Sequence, residues 1–187
     1  MSGTLAETYL ASRGLKWPTD TPLRFHPACP RGRERLPAML AEMTDPLTGE
    51  FCGTHRTFIE PDGSGKIRHG SAKMMLGRAG TIRLTPDEDV TTGLGICEGI
   101  ETGLSLIQRA KWQPIWACCS AGGIAKFPVL DGIEHLTIFA DADDSGVGLR
   151  AAESCARRWR EAGREVEITL PPIGKDWLDA LTKGDAA

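Results

Sequence analysis

The sequence predicts an α/β protein in which a C-terminal four-stranded parallel sheet flanked by helices follows a small, mostly β (α+β) N-terminal module. From about residue 93 onward, short apolar segments alternate with helical segments, which is the pattern of strand–helix–strand units on a parallel sheet. Before that point, strand-like segments are separated by Pro- and Gly-rich turns, which is typical of a small β module.

The N-terminal module is expected to span residues 1–88. Thr4 and Glu7 fit a capping box and Gly14 fits a helix stop, so a helix is expected over residues 5–13. The other expected elements are strands over residues 23–26, 36–44 and 51–59, and a Pro-, Gly- and Arg-rich loop over residues 27–35.

The C-terminal domain is expected to span residues 89–187. Its expected strands are continuously apolar, as parallel strands buried on both faces should be. They cover residues 93–97, 114–119, 136–140 and 166–170, and the main helices cover residues 102–109, 145–162 and 176–182.

The composition is that of a soluble globular protein, with 41% hydrophobic and 25% charged residues. No apolar run approaches the ~20 residues of a membrane span, and the N-terminus lacks a basic-then-apolar signal, so a cytoplasmic location without membrane contact is expected. The six cysteines lack the spacing of a disulfide framework and are interpreted as reduced.

The two halves differ in charge. Residues 1–85 carry 12 basic and 8 acidic residues, a net of +4, whereas residues 86–187 carry 10 basic and 17 acidic residues, a net of −7. A basic half could hold a polyanion while an acidic half holds cations, or the two halves could simply have differently decorated surfaces.

Acidic residues follow two of the predicted strands. Glu98 follows the first, and Asp141 and Asp143 follow the third, where alternation along an extended chain points both side chains the same way. Ligands of open parallel sheets bind at the carboxyl ends of the strands. Carboxylates this close repel each other unless they take up protons or a cation. Because oxygen ligands favour Mg²⁺ or Mn²⁺ over Zn²⁺, the sequence predicts a Mg²⁺ or Mn²⁺ site here.

The segments 95–103 and 139–143, in this order of elements, resemble the Toprim (topoisomerase–primase) family. Its members include bacterial primases, topoisomerases, recombination proteins and some nucleases, and the resemblance covers residues 93–183. It implies that Glu98 is a general acid/base and that Asp141 and Asp143 hold Mg²⁺.

Further segments are similar to Toprim-containing, primase-like proteins of phages, plasmids and integrated elements, which extends the resemblance over nearly the whole chain. It implies a primase-like, Mg²⁺-dependent nucleotidyltransferase that acts on nucleic acid in the replication of a mobile element. These segments are residues 98–102, 120–123 and 174–179, together with 9–14, 23–27 and 55–57 in the N-terminal half.

The chain departs from the family pattern at two positions. Bacterial primases carry an acidic residue where this chain has Thr102, so either Glu101 is the replacement ligand for the metal or one metal ion is missing. Related sequences read Asp-Trp-Asn-Asp, whereas this chain has Leu178 in place of the Asn. Asp176 and Asp179 are accordingly candidate outer metal ligands, and the alternative is that Asp176 caps the last helix.

Zinc is not expected, although primases of this kind usually begin with a Cys-rich zinc ribbon. The chain has no Cys-x-x-Cys and no P-loop. His26, Cys29, Cys52 and His55 have zinc-like spacing, but both histidines fall in family-like segments that need no metal. A separate zinc-binding or helicase partner is therefore expected.

Two groups of residues are candidates for binding phosphates. Gly122 and Gly123, followed by Lys126, could cradle a phosphate or could form an ordinary strand-to-helix turn. The second group is a clamp for the nucleic-acid backbone in the basic half, made of Arg31, Arg33, Arg35, Arg56, Lys66, Arg68, Lys73 and Arg78.

Three functions are open at this point. The first is primer synthesis on single-stranded DNA from nucleoside triphosphates, with Glu98 assisting proton transfer at the attacking 3′ hydroxyl. The second is a nuclease that uses the same metals, and the third is a non-catalytic accessory module that binds nucleic acid. The sequence does not distinguish DNA from RNA targets.

Overall fold

The computed structural model describes residues 3–142, 144–171 and 176–184. It contains an N-terminal antiparallel sheet and a C-terminal, mostly parallel sheet flanked by helices, so the predicted fold class is confirmed. The predicted site residue Asp143 lies outside the described residues. Within them, no helix is both long and apolar enough to cross a membrane.

The N-terminal sheet has four antiparallel strands in the order β1-β2-β3-β4. A short helix precedes it and begins where the Thr4 side chain accepts a hydrogen bond from the Glu7 amide. The elements are α1 (Leu5–Ser12), β1 (Leu23–Arg31), β2 (Glu34–Thr44), β3 (Phe51–Phe58) and β4 (Lys73–Gly77).

The predicted loop over residues 27–35 is wrong. β1 continues through Pro27 and Pro30, and only a two-residue turn separates it from β2. Proline is tolerated there because β1 is an edge strand, whose outward N–H groups need no partner in the sheet. The pairing with β2 changes register between His26 and Cys29, around the first proline.

The C-terminal sheet has five strands in the order β5-β7-β6-β8-β9. The four predicted strands are parallel, and a two-residue antiparallel strand, β5, is added at one edge. The elements are β5 (Ile82–Arg83), β6 (Gly93–Cys97), α2 (Ile100–Gln108), β7 (Ile115–Ala117), α3 (Ala121–Lys126), β8 (His135–Phe139), α4 (Val147–Glu161), β9 (Glu165–Thr169) and α5 (Trp177–Gly184).

One buried core joins the two halves of the chain. Tyr9 of α1 and Met39 of β2 belong to the same apolar cluster as Leu104 of α2. Beside this core, the Gln108 side chain accepts a hydrogen bond from the Lys16 amide and donates one to the Lys16 carbonyl, both at 2.8 Å. The N-terminal module is therefore packed along α2, the helix that starts at the end of β6.

Candidate active site

Two carboxylates leave the carboxyl ends of the neighbouring central strands. β6 and β8 are parallel, and Cys97 is aligned with Phe139. Glu98 is the next residue after Cys97, and Asp141 is the second residue after Phe139. Both side chains are partly buried and line the same cleft. The parallel register therefore brings these two predicted site residues together.

The cleft at these strand ends has a volume of about 120 Å³ and is lined by both halves of the chain. Three carboxylates from the C-terminal half form what we call the acidic wall: Glu98, Asp141 and Asp176. Three cations from the N-terminal half form the basic wall: Arg13, Lys66 and Lys73. The other lining residues are Gly99, Glu101, Thr102 and Leu178.

Helix α5 supports the end of β8 on the acidic wall. The Trp177 indole donates a hydrogen bond to the Ala140 carbonyl at 3.1 Å, and its ring packs edge-on against Phe139 with centroids 5.2 Å apart. Asp176 caps this helix, because its side chain accepts a hydrogen bond from the Asp179 amide at 2.7 Å. Asp176 also faces the cleft, so its role as a metal ligand stays a prediction.

Glu101, on the first turn of α2, makes its contacts with the N-terminal module. The Lys66 ammonium lies 2.8 Å from Glu101 Oε1, and the Tyr9 hydroxyl donates a hydrogen bond to the same oxygen. Burial raises the pKa of the Glu101 carboxyl, but the charges of Lys66 and Lys73 and the two hydrogen bonds outweigh burial and lower the pKa to about 2. The structure thus gives Glu101 two partners other than a metal ion.

The basic wall is built from elements that are far apart in the sequence. Arg13 is the C-cap residue of α1, Lys66 pairs with Ile59 in an isolated bridge, and Lys73 begins β4. The Lys66 side chain retains 31% exposure, and burial lowers the pKa of its ammonium while Glu101 partly offsets that effect. Ammonium and guanidinium groups here suit a phosphate-bearing ligand.

Two buried polar side chains of β3 share a face of the sheet next to the basic wall. The register pairs His55 with Met75 and Thr57 with Lys73. In the described part of the chain, neither His55 Nδ1 nor Thr57 Oγ1 has a hydrogen-bond partner. Burial, and then the charge of Lys73, lower the pKa of His55 to about 4, so the imidazole is neutral at pH 7.

The loop between β7 and α3 is explained by local packing. Ser120 Oγ accepts a hydrogen bond from the Gly123 amide at 3.0 Å and caps α3. A Cβ at Gly123 would lie 1.9 Å from the Cys118 carbonyl oxygen, so only glycine fits there. Gly122 and Lys126 are exposed, and Lys126 lines a different hollow from the cleft. Phosphate binding by this loop stays a prediction.

The predicted backbone clamp contains arginines with different surroundings. Arg31 pairs with Glu34 at 2.7 Å and donates to a main-chain carbonyl, and Arg56 donates to the Pro30 carbonyl and lies over the Phe58 ring. Four further arginines are exposed on the surface, and one of them, Arg78, pairs with Asp45 at 3.2 Å; they are Arg33, Arg35, Arg68 and Arg78. Lys66 and Lys73 alone among the predicted clamp residues line the cleft.

No group of three His, Cys, Asp or Glu side chains in residues 3–142, 144–171 and 176–184 converges closely enough to hold a metal ion. In the zinc-spaced set, Cys52 Sγ lies 3.4 Å from the Met43 carbonyl oxygen, and His26 Nδ1 accepts a hydrogen bond from the Ala28 amide. The described carboxylates at the strand ends therefore do not by themselves form a complete metal site.

Tyr9 and Arg13 lie at the site, although neither was predicted as a site residue. In the sequence they were noted only as part of a segment that is similar to the family. They lie four residues apart, on and just after α1. That spacing puts two side chains on one side of a helix, which was the available sequence signal. What the spacing could not indicate is that this side of α1 packs against the first turn of α2.

Comparison with protein families identifies the fold at this site. The model of the Toprim domain matches residues 93–186, half of the chain. The chain belongs to the Toprim family. A second family model, described as a domain of unknown function (DUF7146), matches residues 1–84. No curated protein matches the chain.

Two solved structures are similar to this Toprim chain. The crystal structure of the primase fragment of the bacteriophage T7 primase-helicase protein matches with a TM-score of 0.59 and 13% identity, over 96% of this chain and 66% of that chain. A chain from the structure of the bacteriophage T7 lagging-strand DNA polymerase interacting with primase domains of two gp4 subunits matches with a TM-score of 0.56 and 14% identity, over 91% of this chain and 92% of that one. At these identities the likeness concerns the fold, which is primase-like over almost the whole chain.

Proposed function

We propose that this chain is a Mg²⁺-dependent, primase-like nucleotidyltransferase domain that acts on nucleic acid in the replication of a mobile element. The observation that carries the proposal is the composite cleft, in which carboxylates at the ends of β6 and β8 meet cations of the N-terminal module. The fold shared with T7 primase fragments supports the same function. We divide the chain into residues 1–88 and a catalytic domain of residues 89–187.

The donors on the acidic wall fit a Mg²⁺ or Mn²⁺ ion. They are carboxylate oxygens, and Mg²⁺ is usually held by one or two carboxylates together with substrate phosphates and water. Asp141 would hold the ion with Asp143, and Asp176 is the candidate outer ligand. The ion, when bound, neutralises phosphate charge and orients the leaving group.

Other residues of the chain accept the proton, bind the triphosphate and bind the template. Glu98 accepts the proton of the attacking 3′ hydroxyl, a role that needs a carboxylate within hydrogen-bond reach of that hydroxyl. The basic wall binds the triphosphate through Arg13, Lys66 and Lys73, and charge-assisted hydrogen bonds to phosphate are stronger than neutral ones. The exposed arginines of the clamp bind the template backbone.

The partners of this site would be single-stranded DNA and nucleoside triphosphates. One similar structure is described as bound to an RNA/DNA hybrid and dTTP, and the other is a fragment of a primase-helicase protein. A separate zinc-binding or helicase partner would supply template recognition or unwinding.

The test is a turnover assay on single-stranded DNA with Mg²⁺ or Mn²⁺, with and without labelled nucleoside triphosphates. We expect metal-dependent primers from the wild type and a loss of at least about 100-fold in Asp141→Ala and Asp143→Ala. Asp131→Ala is the matched control, because Asp131 is exposed and precedes β8 at its amino end. Primer synthesis at the wild-type rate by Asp141→Ala would contradict the proposal.

The same assay separates the two other functions. Shortened DNA without nucleotides, lost in the same variants, would assign a Toprim nuclease instead. Binding of DNA without turnover in either metal, unchanged by Glu98→Gln, would assign an accessory module.

A further inference from the structure

A buried carboxylate, Glu101, joins the two halves of the chain at the cleft. Its side chain is only 7% exposed, and its Oε1 atom contacts both the Lys66 ammonium, at 2.8 Å, and the Tyr9 hydroxyl. A buried carboxylate is strongly unfavourable unless it is paired and hydrogen-bonded. Glu101 therefore depends on both contacts, and both come from the N-terminal module.

The main chain of Lys66 is held independently of its side chain. Ile59 pairs with Lys66, and the turn between them is closed by a hydrogen bond from the Glu60 amide to the Gly65 carbonyl at 2.9 Å. Within this turn Gly63 has a φ of +75°, and an added Cβ would lie 2.9 Å from Thr8 of α1. The turn is thus packed against the helix that carries the Tyr9 hydroxyl.

The Lys66 ammonium can contact Glu101 and a ligand at the same time. It has three N–H donors, of which the contact with Glu101 Oε1 occupies one. Its side chain retains 31% exposure and lines the cleft beside Glu98 and Asp141. A lysine already held in one conformation loses less rotamer freedom when it binds a ligand.

We propose that Glu101 is a positioning residue that holds the Lys66 ammonium in the cleft wall, where Lys66 binds the phosphates of the nucleoside triphosphate. This inference rests on the proposed function, which supplies the phosphates. Glu101 acts through Lys66 and is distinct in role from Glu98, although only three positions separate them on the chain. The carboxylate that the sequence suggested as a replacement metal ligand thus organises the basic wall instead.

Positioning and simple electrostatics predict opposite effects of one substitution. Glu101→Gln removes a negative charge beside the basic wall, so electrostatics alone would strengthen the binding of an anion. Positioning predicts weaker binding, because Lys66 loses the ion pair that orders it. The sign of the change in affinity therefore distinguishes the two.

The experiment measures the affinity of the full chain for ATP with Mg²⁺ by titration calorimetry. We expect Glu101→Gln and Lys66→Met each to weaken binding about tenfold, the size of one charge-assisted hydrogen bond. The double variant should be no weaker than Lys66→Met, because Glu101 has no lysine left to position. Glu101→Gln should instead keep most of its effect in a Lys73→Met background, because Lys73 acts on Glu101 through its charge and has no contact with Glu101 Oε1 among those described.

The controls separate positioning from loss of structure. Lys111→Met removes an exposed lysine at the opposite end of α2 and should bind as the wild type does. Lys66→Arg should keep most of the affinity, because it retains a cation and a stem of similar length. If Glu101→Gln fails to fold, as urea unfolding would show, Tyr9→Phe tests the same oxygen by removing one hydrogen bond and should weaken binding by less.

Three results of the binding experiment would overturn the inference. The first is ATP affinity in Glu101→Gln equal to or tighter than that of the wild type. The second is an effect of Glu101→Gln that is fully additive with that of Lys66→Met, and the third is a wild type that does not bind ATP with Mg²⁺. The primer assay tests the proposed function separately. If the wild type makes primers and Glu101→Gln has an unchanged KM for the nucleoside triphosphate, the positioning role alone is refuted.

Discussion

The acidic and basic walls of the cleft are placed by different kinds of structure. Glu98 and Asp141 follow buried parallel strands, so the main-chain register of β6 and β8 determines where they lie. Lys66, Lys73 and Arg13 come from a turn, an edge strand and the end of a helix, and packing between the two halves brings them together.

Substitutions on the two walls should therefore differ in their effects on activity and on the free energy of unfolding. On the acidic wall the strands position Glu98 and Asp141, so a substitution of either residue should remove chemistry and leave the fold intact. On the basic wall Lys66 is also the partner of a buried carboxylate, so a substitution there should reduce both ligand binding and the free energy of unfolding.

The largest expected effect is on the acidic wall. Glu98→Gln should lower the rate of primer synthesis by about 10²–10⁴-fold, because general acid–base catalysis contributes that much. Its urea unfolding should match that of the wild type. A variant that loses stability in step with activity would mean that Glu98 supports the structure rather than the reaction.

Lys66→Met should cost the folded state about 3 kcal/mol, because it leaves a buried carboxylate without its cation. Urea unfolding measures this loss. Glu165→Gln is the control, because it removes the charge from an exposed contact with His135 Nδ1 at 3.0 Å and should cost much less. Equal losses in the two variants would contradict the distinction between the walls.

The stability of the N-terminal sheet should depend on pH through His55. Its pKa is about 4 in the folded chain and about 6.5 when unfolded, so between these values the unfolded chain binds a proton that the folded chain does not. The free energy of unfolding should therefore fall as the pH drops from 6.5 to 4, by at most about 3 kcal/mol, and the His55 contribution should stay constant below pH 4.

Chemical unfolding between pH 6.5 and 5 tests this, because Glu101, whose pKa is lowered to about 2, loses its stabilising charge only at more acidic pH. His55→Leu should flatten the pH dependence, whereas His69→Gln, at an exposed position, should retain it. An unchanged slope in His55→Leu would show that the buried imidazole is not its source.

The smallest expected effect concerns the exposed arginines outside the cleft. Arg33→Gln should reduce the salt dependence of single-stranded DNA binding by about one phosphate contact, with no change in ATP affinity. Binding measured from low to moderate salt gives the slope. A slope equal to that of the wild type would remove Arg33 from the proposed clamp.

Much of the C-terminal half was predictable because its signals are local. Apolar strands alternating with helices predicted the parallel sheet, and the rule that ligands meet the carboxyl ends of strands predicted that Glu98 and Asp141 would lie together. That β5 joins this sheet was not predicted, because a two-residue strand carries no periodic pattern that indicates its sheet. The loop predicted over residues 27–35 was wrong because edge position, which permits proline in a strand, is a property of the sheet and not of the segment.

The pattern of residues along the chain determined the type of fold, the alternation of strands and helices in the C-terminal half, and the position of the carboxylates after the strands. These features could be predicted because hydrophobic periodicity is set by neighbouring residues. Tertiary structure alone decided that the Tyr9 hydroxyl of α1 and the Lys66 ammonium meet one oxygen of Glu101 in the first turn of α2, and that Lys73 joins them at the cleft. Those partners lie up to 92 residues apart. No local pattern specifies such a contact, since it forms only when the apolar faces of the two halves are buried against each other.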